Sequence, residues 1–573
     1  MRMTEHTFVS WDGASLFYRA WLPDGLSSRA ILLFHRGHEH SGRWEETVQS
    51  LSMPETAVFA WDQRGHGKSP GNRGCAANLG AVIKDADWFA RHVAREHGVS
   101  LQNAAVVAAS VGAVIAAAWV HDFAPPIRAM VLAAPAFRVK LYVPLAVPSL
   151  RLKEKVLPGG SVKSYVKAKL LTHDAQQAAA YDADPLIFRN IAVNILLDLH
   201  DAGTRLIADA AAIRTPTLLL AAGKDWVVEL GAQQKFFARL GSPIKQMEVY
   251  GDFYHSLFTE TQRQRVVDRT RDFLEECFAR PAENDGLLEA DKGGFSRTEY
   301  DLLRGPGAAR WGITRTAMKM YGRLSTGIKL GWETGFDSGI TLDYVYENKP
   351  RGVTPLGKLI DYFYLNAIGW RGIRVRRENI ERLLASAIDR VNESGRAVHI
   401  LDIASGPGRY VLETMKRSNG VEVSATLRDY RQANLDAARK LAGELQLSRV
   451  TFAQADAFDR VSLAAQTPRP TIAVTSGLYE LFPENAPVLR SLQGIADAMD
   501  EGGYLLYTCQ PWHPQVEFIA RALTNREGKP WIMRRRSQGE MDELVRAAGF
   551  EKIEQDVDPW GIFTVSLARR VAR

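Results

Sequence analysis

Three residue types in the first half of the chain could together cleave an ester. Ser110 lies in "AASVG" (108–112), Asp225 in "AAGKDWVV" (221–228) and His255 in "YGDFYHSLF" (250–258). A serine hydroxyl becomes a useful nucleophile when an imidazole takes its proton, and a carboxylate holds that imidazole in the right tautomer. The second half offers a different chemistry. There "DIASGPG" (402–408) puts a glycine-bearing turn directly after the apolar run "AVHIL". Such a turn lets backbone approach a nucleotide-like ligand, because the nearest positions carry no side chain. Asp429 follows 21 residues after Gly408, a spacing at which an acid can accept both hydroxyls of a ribose.

These residues need elements to hold them. Short apolar runs at 30–37, 56–62, 104–110, 129–135, 215–223 and 245–251 read as strands of a parallel sheet covered on both faces, with helices between them. Ser110, Asp225 and His255 each fall just past the end of such a run, where open parallel sheets place their sites. The nearly uncharged run "NAAVVAASVGAVIAAAWVH" (103–121) then reads as a buried strand, a tight turn and a helix of small residues. It is too rich in Ala, Ser and Gly for a membrane span. A second alternating series begins near 397, with strand-like "AVHILDIASG", "VEVSATLRD", "VTFAQAD", "PTIAVTSG" and "GGYLLYTCQ". Between the two series, "ARPAENDGLLEADKGGFS" is polar and glycine-bearing with no apolar period, which marks it as the join. The expected fold class is α/β with two domains: residues 1–280 with a cap at about 137–205, a linker at 281–296, a helical lid at 297–369 and a second core at 370–573.

With its neighbours, the first half resembles the α/β-hydrolase superfamily, and within it the monoacylglycerol lipase and lysophospholipase group. The resemblance rests on "HRGHEHSGRW" (35–44), "DQRGHGKS" (62–69), the "AASVG" turn and the Asp…His order, and covers about residues 5–280. It implies Ser110 as nucleophile, His255 as general base and then acid, and Asp225 as the group that orients the imidazole. The oxyanion hole would use the backbone amides of Gly37 and Val111. The chain departs from the group at Arg36 and His38, which stand where the oxyanion loop has glycines, and at Ala108, the first small position of the turn. A bulky Arg36 would either narrow the acyl pocket or bind an anionic substrate. His35, His38, His40 and His66 lie in turn-rich loops and read as loop hydrogen-bonding groups, with no metal site indicated.

The second half, about 370–570, resembles class I S-adenosylmethionine (SAM)-dependent methyltransferases, with "DIASGPG" in the place of their first motif. By position the resemblance assigns SAM contacts to Asp402, Ala404, Gly406 and Gly408, to Asp429 at the ribose, to Asp456 and Phe458 at the adenine, and to Ser476 beside the methyl donor. Tyr479 and Glu480 would stand on the acceptor side. The segment before this core, rich in Trp, Tyr, Gly and basic residues, reads as a lid over the acceptor. The basic residues of the helix expected at 362–384 suit contact with an anionic acceptor, but read first as a solvated face.

Composition constrains the rest. The chain has 573 residues, 46% of them apolar, and a formal net charge of +7. Residues 138–169 carry eight Lys/Arg against the single acid Glu154, a local excess equal to the charge of the whole chain. General nucleic-acid binding is therefore not expected. A basic, partly apolar cap suits either a solvated face or peripheral contact with an anionic membrane. Three scattered cysteines (Cys75, Cys277, Cys509) and the lack of an apolar leader point to the cytoplasm, with the inner membrane surface as a possible peripheral site. The overall expectation is a bifunctional enzyme: a serine hydrolase of lipid acyl esters joined to a SAM-dependent methyltransferase, working on small-molecule or lipid substrates. Co-location implies consecutive steps, hydrolysis exposing a hydroxyl or carboxylate that methylation caps. The alternative makes one half a ligand-binding or membrane-associating module. The acyl chain, the methyl acceptor and the oligomeric state are left open.

Overall fold

The computed structural model describes residues 1–281, 286–418 and 420–572, in two units, Met1–Asp285 and Gly286–Arg573. The first unit is built on strands β1 (Arg2–Val9), β2 (Ser15–Leu22), β3 (Arg29–Phe34), β4 (Thr56–Trp61), β5 (Ala104–Ala109), β6 (Ala129–Ala133), β7 (Ser161–Lys163), β8 (Asn190–Ala192), β9 (Thr217–Ala222) and β10 (Lys245–Tyr250). Eight of them form one sheet in the order β1-β2-β4-β3-β5-β6-β9-β10, and β7 and β8 pair separately. The six strands expected from apolar runs are all parallel, and the structure adds the antiparallel pair β1 and β2 at one edge. The alternating polar pattern of β1 carries no continuous apolar signal, because only one of its faces is partly covered.

The sheet is covered on both faces, so its central strands are apolar along their length. Ile31, Leu33, Val58, Val107 and Val131 pack with Val48 and Leu51 of the helix Glu45–Leu51 and with Val266 and Phe273 of the helix Gln264–Ala279. On the opposite face the Trp61 ring stacks on Phe89, and Phe34 lies against Trp61 and Trp119. The uncharged run at 103–121 resolves into β5, a turn at Ser110 and the helix Val111–Phe123, buried from Gly112 onward. Between β6 and β9 the cap segment contributes the helices Ala146–Val156, Ala175–Ala183 and Val193–Ala208.

In the second unit the helices Phe295–Arg304, Ala309–Tyr321, Thr326–Thr334, Gly339–Glu347, Pro355–Leu365 and Ile368–Glu393 precede the sheet. The strands are β11 (Val398–Asp402), β12 (Val423–Asp429), β13 (Val450–Gln454), β14 (Ile472–Thr475), β15 (Tyr504–Cys509), β16 (Phe550–Val557) and β17 (Thr564–Arg570). Their order is β13-β12-β11-β14-β15-β17-β16, with β17 antiparallel to both neighbours. Chain order reverses at β11, so the ends of β11 and β14 open onto a crevice where such sheets bind ligands.

Three boundaries differ from the pattern reading. Within the stretch read as linker, 282–285 lie outside the described residues, and the chain packs into the second unit from Gly286 on. The carboxylate of Asp291 accepts from the Asn485 amide (2.8 Å), and Ser296 accepts from the Arg534 guanidinium (2.8 Å). The polar residues that suggested a loop satisfy buried groups further along the chain. The boundary at 297 cuts the helix Phe295–Arg304, and the one at 370 falls in the first turn of Ile368–Glu393. The helix expected at 362–384 is broken between Leu365 and Ile368, and its Arg376 is buried, not solvated.

Candidate functional site in each half

Ser110 has φ 52° and ψ −112°, a conformation that turns the chain sharply from β5 into the helix behind it. Its amide donates to Ala133 O (2.9 Å) and its carbonyl accepts from the Ala136 amide (3.1 Å), which ties the turn to β6. A Cβ at Gly112 would lie 2.4 Å from His35 O and 2.6 Å from Phe34 O, so only glycine fits at that flank. The other flank is less demanding. Ala108 is fully buried between Phe34 and Leu132 on the neighbouring strands, and its methyl is accommodated there.

The three candidate residues are brought together. His255 Nε2 lies 2.8 Å from Ser110 Oγ, and His255 Nδ1 lies 2.8 Å from Asp225 Oδ2. The second carboxylate oxygen of Asp225 accepts from the amides of Val227 (2.7 Å) and Val228 (2.9 Å). Burial opposes the Asp225 charge, but the imidazole and the two amides outweigh it and hold its carboxyl below the usual range. Gly37 and Val111 face one another across the site, with a Cβ at Gly37 3.1 Å from Val111 Cγ2. Neither amide donates to another group among the described residues. Both therefore remain available to an oxyanion. The site opens into a cavity of about 350 Å³ lined by Leu141, Val143, Leu150, Val162, Leu196 and Leu199 beside Ser110 and His255. Its wall is thus largely the cap.

Arg36 does not offer a free charge. Its guanidinium bonds Glu39 (2.8 Å) and lies 5.0 Å above the Tyr181 ring, so it forms part of the cavity wall. The histidines are loop members: His35 spans Arg36 O (2.8 Å) and the Gln63 amide (3.0 Å), and His40 spans Asp184 (2.9 Å) and the Gly42 amide (3.1 Å). His66 contacts Arg64 O (3.1 Å). Burial next to Arg36 pushes His38 down to about 4, so it is neutral. The "DQRGHGKS" segment locks these loops, because Asp62 accepts from the amides of Ser41 (2.6 Å) and Lys68 (2.8 Å).

In the second unit the glycine turn also has the conformation its sequence requires, with Gly406 at φ 55° and Gly408 at φ 68°. A Cβ at Gly408 would lie 2.6 Å from Leu427 Cδ1. Asp429 secures the turn: it accepts from the amides of Gly406 (2.9 Å) and Arg431 (2.8 Å) and from Asn434 Nδ2 (2.9 Å). A carboxylate has about four acceptor positions, so one is left for a ribose hydroxyl. Ala404, Gly406, Gly408, Asp429 and Ser476 line one cleft of about 80 Å³, and the Ser476 hydroxyl has no partner. This donor and acceptor set fits the ribose and methionine end of SAM, a cofactor that supplies an electrophilic methyl group.

Asp402, Asp456 and Phe458 do not line that cleft. Asp402 is fully buried beneath the turn and accepts from the Ala404 amide (3.3 Å), and Asp456 accepts from the Phe458 amide (2.9 Å). The Phe458 ring packs 4.3 Å from that of Phe482. Pattern reading missed the lid's contribution, since Asp337, Gly339, Leu342, Asp343 and Tyr346 also line the cleft. Asp343 pairs with Arg409 (2.8 Å) at the start of the helix behind the turn. No spacing signal joins these residues to a site some 60 positions away; the nearest cue is their density of Gly, Asp and aromatic residues.

Burial pushes the Asp402 carboxyl up to about 7, against the lowering effect of the Tyr410 hydroxyl and the Ala404 amide. Between roughly pH 4 and 7 the unfolded carboxyl is ionised while the folded one keeps its proton, so the folded unit binds more protons. Stability contributed here falls as pH rises through that window, at about 1.4 kcal/mol per pH unit. The expected result is that Asp402→Asn flattens the decline in melting temperature between pH 5 and 7, as measured by calorimetric scans of the full chain.

The strand order and elbow of the first half define an α/β-hydrolase, and the reversed parallel sheet with its glycine turn defines a class I methyltransferase fold. Residues 270–570 match the family model described as "Putative methyltransferase", and the chain belongs to that family. Residues 27–262 match the model described as "Serine aminopeptidase, S33". The chain is 48% identical over 576 residues to "Uncharacterized protein YnbC" of Escherichia coli, covering 99% of this chain and 98% of that one. The first half is 28% identical to the monoacylglycerol lipase of Mycolicibacterium smegmatis over 267 residues, 46% of this chain and 94% of that protein. It is also 28% identical over 261 residues to the monoglyceride lipase of Homo sapiens, 44% of this chain and 83% of that protein. No helix among the described residues is long and apolar enough to cross a membrane.

Proposed function

We propose that the first half is a serine hydrolase of lipid acyl esters of the monoacylglycerol type, and that the second is a SAM-dependent methyltransferase. The hydrogen-bonded chain Ser110–His255–Asp225 at the mouth of an apolar cavity carries the first reading. His255 takes the Ser110 proton as Oγ attacks the ester carbonyl, Asp225 stabilises the imidazolium, and the Gly37 and Val111 amides face the developing oxyanion. The imidazolium then protonates the leaving alkoxide, and water repeats the sequence on the acyl-enzyme. An acyl chain suits walls made of Leu, Val and Ile, and similarity to proteins named monoacylglycerol lipase and monoglyceride lipase supports that class.

The second reading rests on the Gly406–Gly408 turn held against Asp429, with SAM as the group it would take. The direct test titrates the full chain with a fluorophosphonate and, separately, with SAM by calorimetry. Labelling with no SAM binding would reduce the second half to a module of another kind, and SAM binding with no labelling would do so for the first.

The cap gives the hydrolase half a way to meet lipid. Tyr142, Val143, Leu145, Leu152, Val156 and Leu157 are exposed apolar side chains, set among the exposed cations Arg151, Lys155, Lys163, Lys167 and Lys169. This arrangement supports peripheral contact with an anionic membrane surface, at about 1 kcal/mol per cation near the surface, at the inner membrane face of the cytoplasm. The expected result is sedimentation with vesicles containing anionic lipid and not with neutral ones. Replacing Lys155, Lys163, Lys167 and Lys169 by Gln should lower the bound fraction by at least tenfold.

A further inference from the structure

Next to the cofactor cleft, the second unit encloses a cavity of about 360 Å³ with walls that include Ile328, Phe363, Trp370, Phe518, Trp531 and Phe563. Cavity and cleft share Asp337, Leu342, Arg376 and Gly477, so the two spaces meet at the place where the cleft ends beside β14. An aromatic pocket of this kind suits a flat, apolar ligand body.

The cavity also holds polar atoms that the protein does not satisfy. Arg376 Nε, Glu480 Oε2 and Gln510 Nε2 have no hydrogen-bond partner, although the three residues are only 3%, 8% and 5% exposed. An unsatisfied buried polar atom costs about 1–3 kcal/mol. Together with the Tyr364 hydroxyl and the Trp531 indole N–H, which line the same cavity and also lack partners, these atoms point to a ligand that completes them. The acidic and basic groups are not interchangeable. Asp337 is engaged by the Arg526 amide (2.6 Å) and guanidinium (3.1 Å). His513 Nδ1 accepts from the Gln515 amide (3.0 Å), which leaves its other nitrogen as a donor. Glu480 alone among these three retains a free acceptor oxygen.

Glu480 is also held in place from two sides. Its Oε1 accepts from Thr508 Oγ1 (3.4 Å), and the same hydroxyl accepts from the Gly477 amide (2.8 Å) at the junction with the cleft. Arg536 donates to the carbonyls of Tyr479 (2.6 Å), Phe482 (2.7 Å) and Glu484 (3.0 Å), fixing the short turn that carries Glu480. Burial pushes the Glu480 carboxyl up, opposed by Arg376 and Arg536, which makes it a better proton acceptor than an ordinary surface carboxylate.

We propose that this cavity binds the methyl acceptor, that the acceptor is an apolar phenol, and that Glu480 is its general base. The proposal rests on the reading of the neighbouring cleft as a SAM site. The phenol O–H donates to Glu480 Oε2, and its oxygen accepts from Gln510 Nε2 and Arg376 Nε. As the new O–CH3 bond forms, the S–CH3 bond of the sulfonium breaks and the phenolic proton passes to Glu480. The products are an aryl methyl ether, S-adenosylhomocysteine and a proton later released to solvent. A carboxylate acceptor needs no base and would leave Glu480 without a proton to take. An aliphatic alcohol holds its proton nearly as tightly as water and far more tightly than a phenol, and so is poorly matched to a carboxylate base.

The test uses the full chain, methyl-labelled SAM and three probes of matched size: 4-heptylphenol, 4-heptylbenzyl alcohol and 4-heptylbenzoic acid. Label is expected in the phenol's methyl ether. Glu480→Gln, which keeps the side-chain shape, should lower that turnover by about 10²–10⁴-fold while SAM affinity by calorimetry stays within about twofold, which also reports that the variant is folded. Transfer to the alcohol or the acid in preference to the phenol, no transfer to any probe, or undiminished turnover in Glu480→Gln overturns the proposal. If SAM itself fails to bind, the cofactor reading falls first and is recognised without any acceptor.

Discussion

Ser110→Ala is expected to abolish hydrolysis of a long-chain monoacylglycerol, lowering kcat by about 10⁴–10⁶-fold, with the protein still folded. Removing Oγ takes away the bond-forming atom, and His255 and Asp225 have nothing left to activate. The substitution shortens a hydroxymethyl group to a methyl, at a position whose backbone is held by Ala133 O and the Ala136 amide. The melting temperature should therefore change little. The residual rate belongs to the Gly37 and Val111 amides and the cavity, which bind the ester without a nucleophile. Released fatty acid, quantified over time for the wild type and the variant, checks this. A variant that keeps more than a tenth of the wild-type rate would mean that Ser110 is a buried core hydroxyl.

The second large effect is on the cofactor. Asp429→Asn should weaken SAM binding by about 10–100-fold, read as Kd by calorimetry. A hydrogen bond to a charged acceptor contributes about 1.5–3 kcal/mol, and every 1.4 kcal/mol is a factor of ten. Two losses combine. The ribose loses a charged acceptor, and the amide that replaces one oxygen meets either the Gly406 amide or the Arg431 amide and the Asn434 side chain, all of them donors. The turn that presents Gly406 is then less well held. Unchanged SAM affinity in a folded variant would remove Asp429 from the cofactor site.

What the sequence made legible follows from how each residue is positioned. Ser110, Asp225 and His255 could be read because each stands at the end of a buried parallel strand, and such strands announce themselves as short apolar runs. Gly406, Gly408 and Asp429 were accessible for the same reason, since a turn after β11 and an acid at the end of β12 are local features. Asp402 shows the limit of position: its place in the motif implies a cofactor contact, but the turn covers it and burial leaves it inside the sheet. The lid residues Asp337, Gly339 and Asp343 were not legible, because helices from outside the core bring them to the cleft through long-range pairs such as Asp343 with Arg409. The same holds for Arg534, Arg535 and Arg536. These three consecutive arginines are all buried, on Glu540, Glu299 and Asn485, partners that only the tertiary fold supplies. Arg376 and Glu480 belong to this class as well: sequence puts Arg376 on a helix whose basic residues suit solvent or an anionic acceptor, and Glu480 on the acceptor side without a role.

The central claim is that one chain carries two independent active sites, and one paired measurement addresses it. The wild type, Ser110→Ala and Asp429→Asn are each titrated with a fluorophosphonate, read by intact mass, and with SAM, read by calorimetry. The account predicts a crossed pattern: Ser110→Ala binds SAM as the wild type does and takes no label, whereas Asp429→Asn takes one label and binds SAM at least tenfold more weakly. Label on a residue other than Ser110, or a wild type that neither labels nor binds SAM, would contradict it.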